Sequence, residues 1–168
     1  RITKVLGYFF GEQIKAGVAA MLPMWYLEGD AVISETELSP GGRGALPDFS
    51  KEFRAHFLDS LKDYAYDKML MGSYKDFTPD HYRLGYHMVT YGRDALGDDL
   101  NKKIQNYVAR NSYLLFPFPF ALKKAGNLYE GALYEEAFQY YDSLWTAQYD
   151  TIELIQDKPV TPDLSDEY

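Results

Sequence analysis

The chain contains no cysteine. Disulfides and thiolate chemistry are therefore excluded, while the redox compartment stays open. It also has no apolar run approaching the ~18 residues that a membrane-crossing helix needs. No signal peptide is visible. Basic residues are few: 17 Lys and Arg face 25 Asp and Glu, a net charge of −8. A nucleic-acid partner would need clustered Lys and Arg for its phosphates and is not expected. No basic amphipathic stretch points to a membrane surface either. Histidine is equally scarce, with only His56, His81 and His87. His81 and His87 lie roughly 120° apart around a helix and so do not share a face. With His56 distant in sequence, a three-His metal site is not supported, and solvated or core-edge positions are expected for all three. Asp63, Asp67, Asp76 and Asp80 do not follow the spacing of a calcium loop. Neither a G-x-S-x-G elbow nor a phosphate-binding glycine loop occurs.

What is present is a 168-residue chain, 46% hydrophobic and 17% aromatic, with 16 Tyr. The length suits one domain with its own core. So much Tyr predicts amphipathic helices with half-buried rings whose hydroxyls find partners. Helical periodicity dominates and no repeat of fixed period appears. The expectation is an all-α array of about six helices over residues 1–155, followed by a polar tail or linker over residues 156–168.

A first helix is expected over about residues 2–20, interrupted by Leu22-Pro23, because proline breaks a helix yet suits the start of the next. A second runs from about Met24 to Ser34. Ser39 to Gly44 reads as a loop. A third begins near Asp48 or Ser50 and ends at Gly72-Ser73, with Phe53, Phe57, Leu61, Tyr64 and Lys68 on one face. Thr78-Pro79-Asp80 signals a helix start, with Thr78 as the cap, and Gly97 stops that helix. Asp98 is expected to cap the next, whose stripe is Leu100, Ile104, Tyr107 and Val108. The run Phe116-Pro117-Phe118-Pro119-Phe120 predicts a kinked connector plugged into the core. Asn127 with Glu130 suggests a capping box for a last helix carrying Tyr134, Phe138, Tyr141, Trp145 and Gln148 along one face.

Two strings carry chemistry. Trp25-Tyr26-Leu27-Glu28-Gly29-Asp30-Ala31 reads W-x-x-E-G-x-A, and Tyr82-Arg83-Leu84-Gly85 reads Y-x-x-G, starting 54 residues after Glu28. Gly29 would let another segment pass close to its helix, and Trp25 would wedge that helix against a neighbour. Together the strings resemble the helical half of the gluzincin zinc metallopeptidases, the thermolysin and aminopeptidase N group, over about the first 110 residues. The resemblance implies that Glu28 is a zinc ligand. It implies that the Tyr82 hydroxyl stabilises the oxyanion of a peptide-hydrolysis intermediate. Leu27 and Asp30 depart from the residues usual beside that Glu. The family's H-E-x-x-H helix, with two His ligands and the general-base Glu, has no counterpart here, since no histidine precedes Glu28.

Arg1 is not an initiator Met and the first residues already read as helix. The chain is therefore expected to be part of a longer polypeptide whose upstream segment supplies the His pair and packs against this one. Zinc belongs to that intact protein, with a peptide or protein as substrate; the isolated chain is expected to hold no metal and to be inactive. Whether it cleaves chain ends or interiors is not legible. Resemblance to exported bacterial members leans toward the periplasm or outer envelope. The alternative is a non-enzymatic helical interaction domain, or a degenerate relative, in which W-x-x-E-G-x-A is structural.

Overall fold

The computed structural model describes residues 17, 19–58 and 64–153. Those residues form seven α-helices and one 3-10 turn, with no strand among them. The helices are α1 (Met24–Leu38), α2 (Pro47–Leu58), α3 (Tyr66–Met71), α4 (His81–Leu96), α5 (Leu100–Arg110), α6 (Phe118–Gly126) and α7 (Glu130–Thr151), and the 3-10 turn is Arg43–Ala45. The all-α expectation holds. Most of the first expected helix, and the tail over residues 156–168, lie outside the described residues. No helix among those described is long and apolar enough to cross a membrane.

The boundaries differ from the sequence reading at several places, the end of α1 at Leu38 rather than Ser34 among them. The helix expected to reach Gly72 is two elements: Ala65 adopts extended backbone (φ −60°, ψ 151°) and α3 starts afresh after it. Of the expected stripe, Phe53 is buried, Leu61 lies outside the described residues, and Lys68 sits 3.6 Å over the Tyr64 ring while pairing with Asp76 at 2.5 Å. The cap of α4 is Asp80 rather than Thr78; its carboxylate accepts the Arg83 backbone N–H at 2.9 Å. For α5 the N-cap position is Asp99, not Asp98. Asn127 does not cap α7. It closes α6 in the left-handed region (φ 61°), its N–H donating to the Lys123 carbonyl, and α7 has no side-chain cap.

The connector expected over Phe116 to Phe120 turns out to be half helix. Pro119 occupies the first turn of α6, where no intrahelical N–H is needed, and only Pro117 and Phe118 are buried. Phe116 and Phe120 stay exposed.

The core centres on α4 and α7. Phe53 and Phe57 of α2 stack on Phe138 of α7, ring centroids 4.7 and 5.2 Å away. Tyr26 and Tyr134 bury their rings and donate their hydroxyls to Asn101 Oδ1 and to the Tyr64 carbonyl, each at 2.8 Å. On α7 the expected face is largely observed, with Tyr134, Phe138 and Trp145 buried and Gln148 exposed.

Two of the three histidines lie deep inside, contrary to the expectation of solvated or core-edge positions. His56 packs edge-on against Phe57 and beside Tyr64. His87 is enclosed by Phe53, Phe138, Tyr141 and Trp145. Its Nδ1–H donates to the Arg83 carbonyl at 2.7 Å, and Nε2 accepts from the Ser50 hydroxyl at 3.2 Å, which makes the neutral imidazole the fitting form. Burial pushes its pKa down from 6.5 to about 4. The stability it contributes is therefore complete above pH 6.5 and is lost as pH falls toward 4. Chemical denaturation at pH 7 and pH 5 should show a loss of about 2 kcal/mol from this group. In His87→Gln that component should vanish, so an unchanged pH slope in the variant would assign the loss elsewhere.

Candidate functional site

The site grows from one helix crossing. α1 buries Trp25, Tyr26, Gly29, Val32 and Ile33. α4 buries Leu84, Gly85, Met88, Val89 and Gly92 among others. Among the described residues the two helices make the most extensive contact. They meet backbone to backbone at Gly29 and Gly85: a Cβ on Gly29 would come within 2.3 Å of the Gly85 carbonyl carbon, and one on Gly85 within 1.9 Å of the Trp25 carbonyl oxygen. Only glycine allows that approach. Trp25 anchors the crossing from below, its ring edge-on to Tyr26, Tyr66 and Phe118. Both expectations for the first string are met: the segment passing Gly29 is α4, and Trp25 wedges α1 against its neighbours.

Helical spacing then dictates what surrounds the glycines. His81 and Tyr82 lie four and three residues before Gly85, on the same side of α4 and one turn toward its start. Glu28 directly precedes Gly29. Because the backbones touch at the glycines, these side chains meet at the rim of the crossing. The Tyr82 phenol faces the Glu28 carboxylate closely enough to feel it. His81 Nε2 lies 2.5 Å from Glu28 Oε2. The His81 and Tyr82 rings are 4.8 Å apart and tilted. The Glu28 side chain is largely shielded, whereas Tyr82 is 39% exposed and opens to solvent. The pull of Glu28 on the phenol proton, and then the charge of that carboxylate, raise the Tyr82 pKa above its ordinary value. The phenol stays protonated at neutral pH and remains a donor.

Asp30, which departs from the family pattern, has its own structural task. Its carboxylate accepts from the Asn101 side-chain amide, and Asn101 in turn accepts from the Tyr26 hydroxyl, tying α1 to α5. Burial raises the Asp30 pKa, opposed by the charge of Arg93. At the entrance to α4, Arg83 pairs with Asp80, donates to the Phe49 carbonyl at 3.0 Å, and approaches Glu52 at 3.5 Å. The start of α4, and with it Tyr82, is thereby pinned to α2.

The sequence reading missed His81. The signal was available: its four-residue offset from Gly85 places it on the crossing face. Chemically, the cluster offers one carboxylate and one imidazole as metal donors, plus a protonated phenol. That donor chemistry suits zinc, which takes carboxylate oxygen and imidazole nitrogen, but it falls short of the three protein ligands of a catalytic centre. Among the described residues no group of three or more His, Cys, Asp or Glu side chains is placed to hold a metal ion. Comparison with known protein families, with curated proteins and with solved structures finds no match for this chain.

Proposed function

We propose that this chain is the helical half of a gluzincin-like zinc peptidase, contributing one metal ligand and one oxyanion donor to a centre completed by an H-E-x-x-H segment upstream. One observation supports this reading above the others: Glu28 and Tyr82, 54 residues apart, face each other on an open rim. An oxyanion donor and a metal ligand serve the same reacting carbonyl, so their convergence is what the chemistry requires. Zinc, when bound, supplies a Lewis acid that polarises that carbonyl and eases the ionisation of water. Glu28 contributes its carboxylate, steered by His81 much as ligating carboxylates are held by outer partners elsewhere. Tyr82, kept protonated, turns its O–H from Glu28 to the carbonyl oxygen as negative charge develops there. Peptides and proteins are the substrate class.

Glu28→Gln in the full-length polypeptide tests the ligand role. The wild type should hold zinc stoichiometrically by atomic absorption, and the variant should bind it at least about tenfold more weakly. Wild-type affinity in the variant would remove Glu28 from the ligand set.

A second reading is favoured by a separate observation. Trp25, Gly29 and Gly85 all have packing duties at the crossing that need no catalysis. On that reading the chain is a helical interaction domain, and the full-length protein would bind no zinc at all.

A further inference from the structure

Charge is not spread evenly along this acidic chain. Residues 100–126 hold Lys102, Lys103, Arg110, Lys123 and Lys124 and no Asp or Glu. Taking that +5 from the total of −8 leaves −13 for the rest of the chain. The stretch is one structural unit, the hairpin of α5 and α6. Between the two helices runs a cleft of about 630 Å³ lined by Lys103, Tyr107, Arg110 and Lys124 with Asn106 and Asn111. Lys103, Tyr107 and Arg110 follow helical spacing along one face of α5. Lys124 reaches across from α6 to within 5.6 Å of the Tyr107 ring. Lys103 is paired with Asp99 at 2.8 Å, but Arg110 and Lys124 have no carboxylate partner among the described residues.

The tip of the same hairpin is bare of polar cover. Tyr113, Leu115, Phe116 and Phe120 are 80, 81, 71 and 53% exposed. Phe120 lies at helical spacing from Lys123 and Lys124 on α6. Large exposed apolar groups gathered at one end of a hairpin and bordered by cations mark an interaction site. Aromatic and aliphatic side chains at a tip, with Lys and Arg set back from it, match the layering of a bilayer edge, where rings sit at headgroup level and cations meet phosphates. Leu115 has no stacking face for a nucleobase.

We propose that the α5–α6 hairpin docks this protein onto the surface of an anionic phospholipid bilayer. Tyr113, Leu115 and Phe116 enter the interface, and Arg110, Lys123 and Lys124 engage lipid phosphates. The protein lies on the membrane and does not span it, which corrects the expectation that no basic amphipathic stretch suits a membrane surface: the basic and apolar residues are split between two helices and a turn.

Co-sedimentation of the full chain with sucrose-loaded vesicles tests this. On equal parts phosphatidylcholine and phosphatidylglycerol at low salt, the partition coefficient should exceed that on phosphatidylcholine alone by about tenfold or more, and it should fall as salt rises. Leu115→Asp with Phe116→Asp, and separately Arg110→Glu with Lys124→Glu, should each return it to the phosphatidylcholine level with an unchanged circular dichroism spectrum. Lys51→Glu with Lys75→Glu, on distant exposed positions, should leave it intact. The proposal is overturned if the wild type does not partition or the tip variant binds as well as wild type. It is also overturned if the distant-charge variant loses as much as the cleft variant. Retention on immobilised polyglutamate without vesicle binding would overturn it too, and would assign the hairpin to an acidic protein instead.

Discussion

Gly85→Ala is expected to cost the fold about 3 kcal/mol or more, at or beyond the upper end for overpacking a close contact. The added methyl would sit 1.9 Å from the Trp25 carbonyl oxygen and 3.2 Å from the Gly29 Cα. Both are backbone atoms, so no side chain can rotate away. α1 and α4 would have to part by well over an ångström, and Trp25 would be drawn from its nest of rings. Gly131→Ala supplies the comparison: a Cβ there meets nothing within 4 Å, and the position lies in the first turn of α7. That substitution should be neutral or stabilising by up to about 1 kcal/mol. Urea denaturation of the two variants beside the wild type decides the matter. Near-equal midpoints for Gly85→Ala and wild type would mean that the helices do not touch there.

Tyr82→Phe in the full-length protein should lower peptide hydrolysis by roughly 10²–10³-fold, the loss typical of removing one oxyanion donor. The ring is kept and only the hydroxyl is lost. Exposure of Tyr82 means that folding should be little affected. Zinc content should also stay at the wild-type level, because Glu28 and the proposed upstream His pair remain. Hydrolysis of casein, with zinc measured on the same samples, separates the possibilities. Full activity in the variant would end the catalytic assignment of Tyr82. A variant that loses zinc together with activity would instead show that the phenol positions Glu28.

Much of the architecture was legible because it is written in local punctuation. α4 starts beside Pro79-Asp80 and stops at Gly97, whose φ of 108° suits glycine and few other residues. The stripes of α5 and α7 were legible for the same reason. Where the reading slipped, one residue type served two purposes. Asn favours both an N-cap and the left-handed close of a helix, and only the Lys123 carbonyl accepting the Asn127 N–H selects the second. Proline inside Phe-Pro-Phe-Pro-Phe reads as a break, yet it is equally at home in the first turn of α6.

The site was half legible. Gly29 announced a close approach, and two short strings paired Glu28 with Tyr82. That Gly85 is the other side of the crossing is a tertiary fact, fixed only when α4 lies on α1. His81 entered the site through that contact and not through any spacing with the other histidines.

The two tryptophans divide the molecule optically. Trp25 looks into rings carried by α1, α3 and α6, whereas Trp145 looks into Phe57, His87 and Tyr141 on α2, α4 and α7. Among the described residues they share no aromatic neighbour. Emission from Trp25 therefore reports on the floor beneath Glu28 and Tyr82, and emission from Trp145 on the aromatic layer around the buried imidazole. Removing one indole at a time would give each half its own fluorescent readout of cooperativity, on a single chain and without a label.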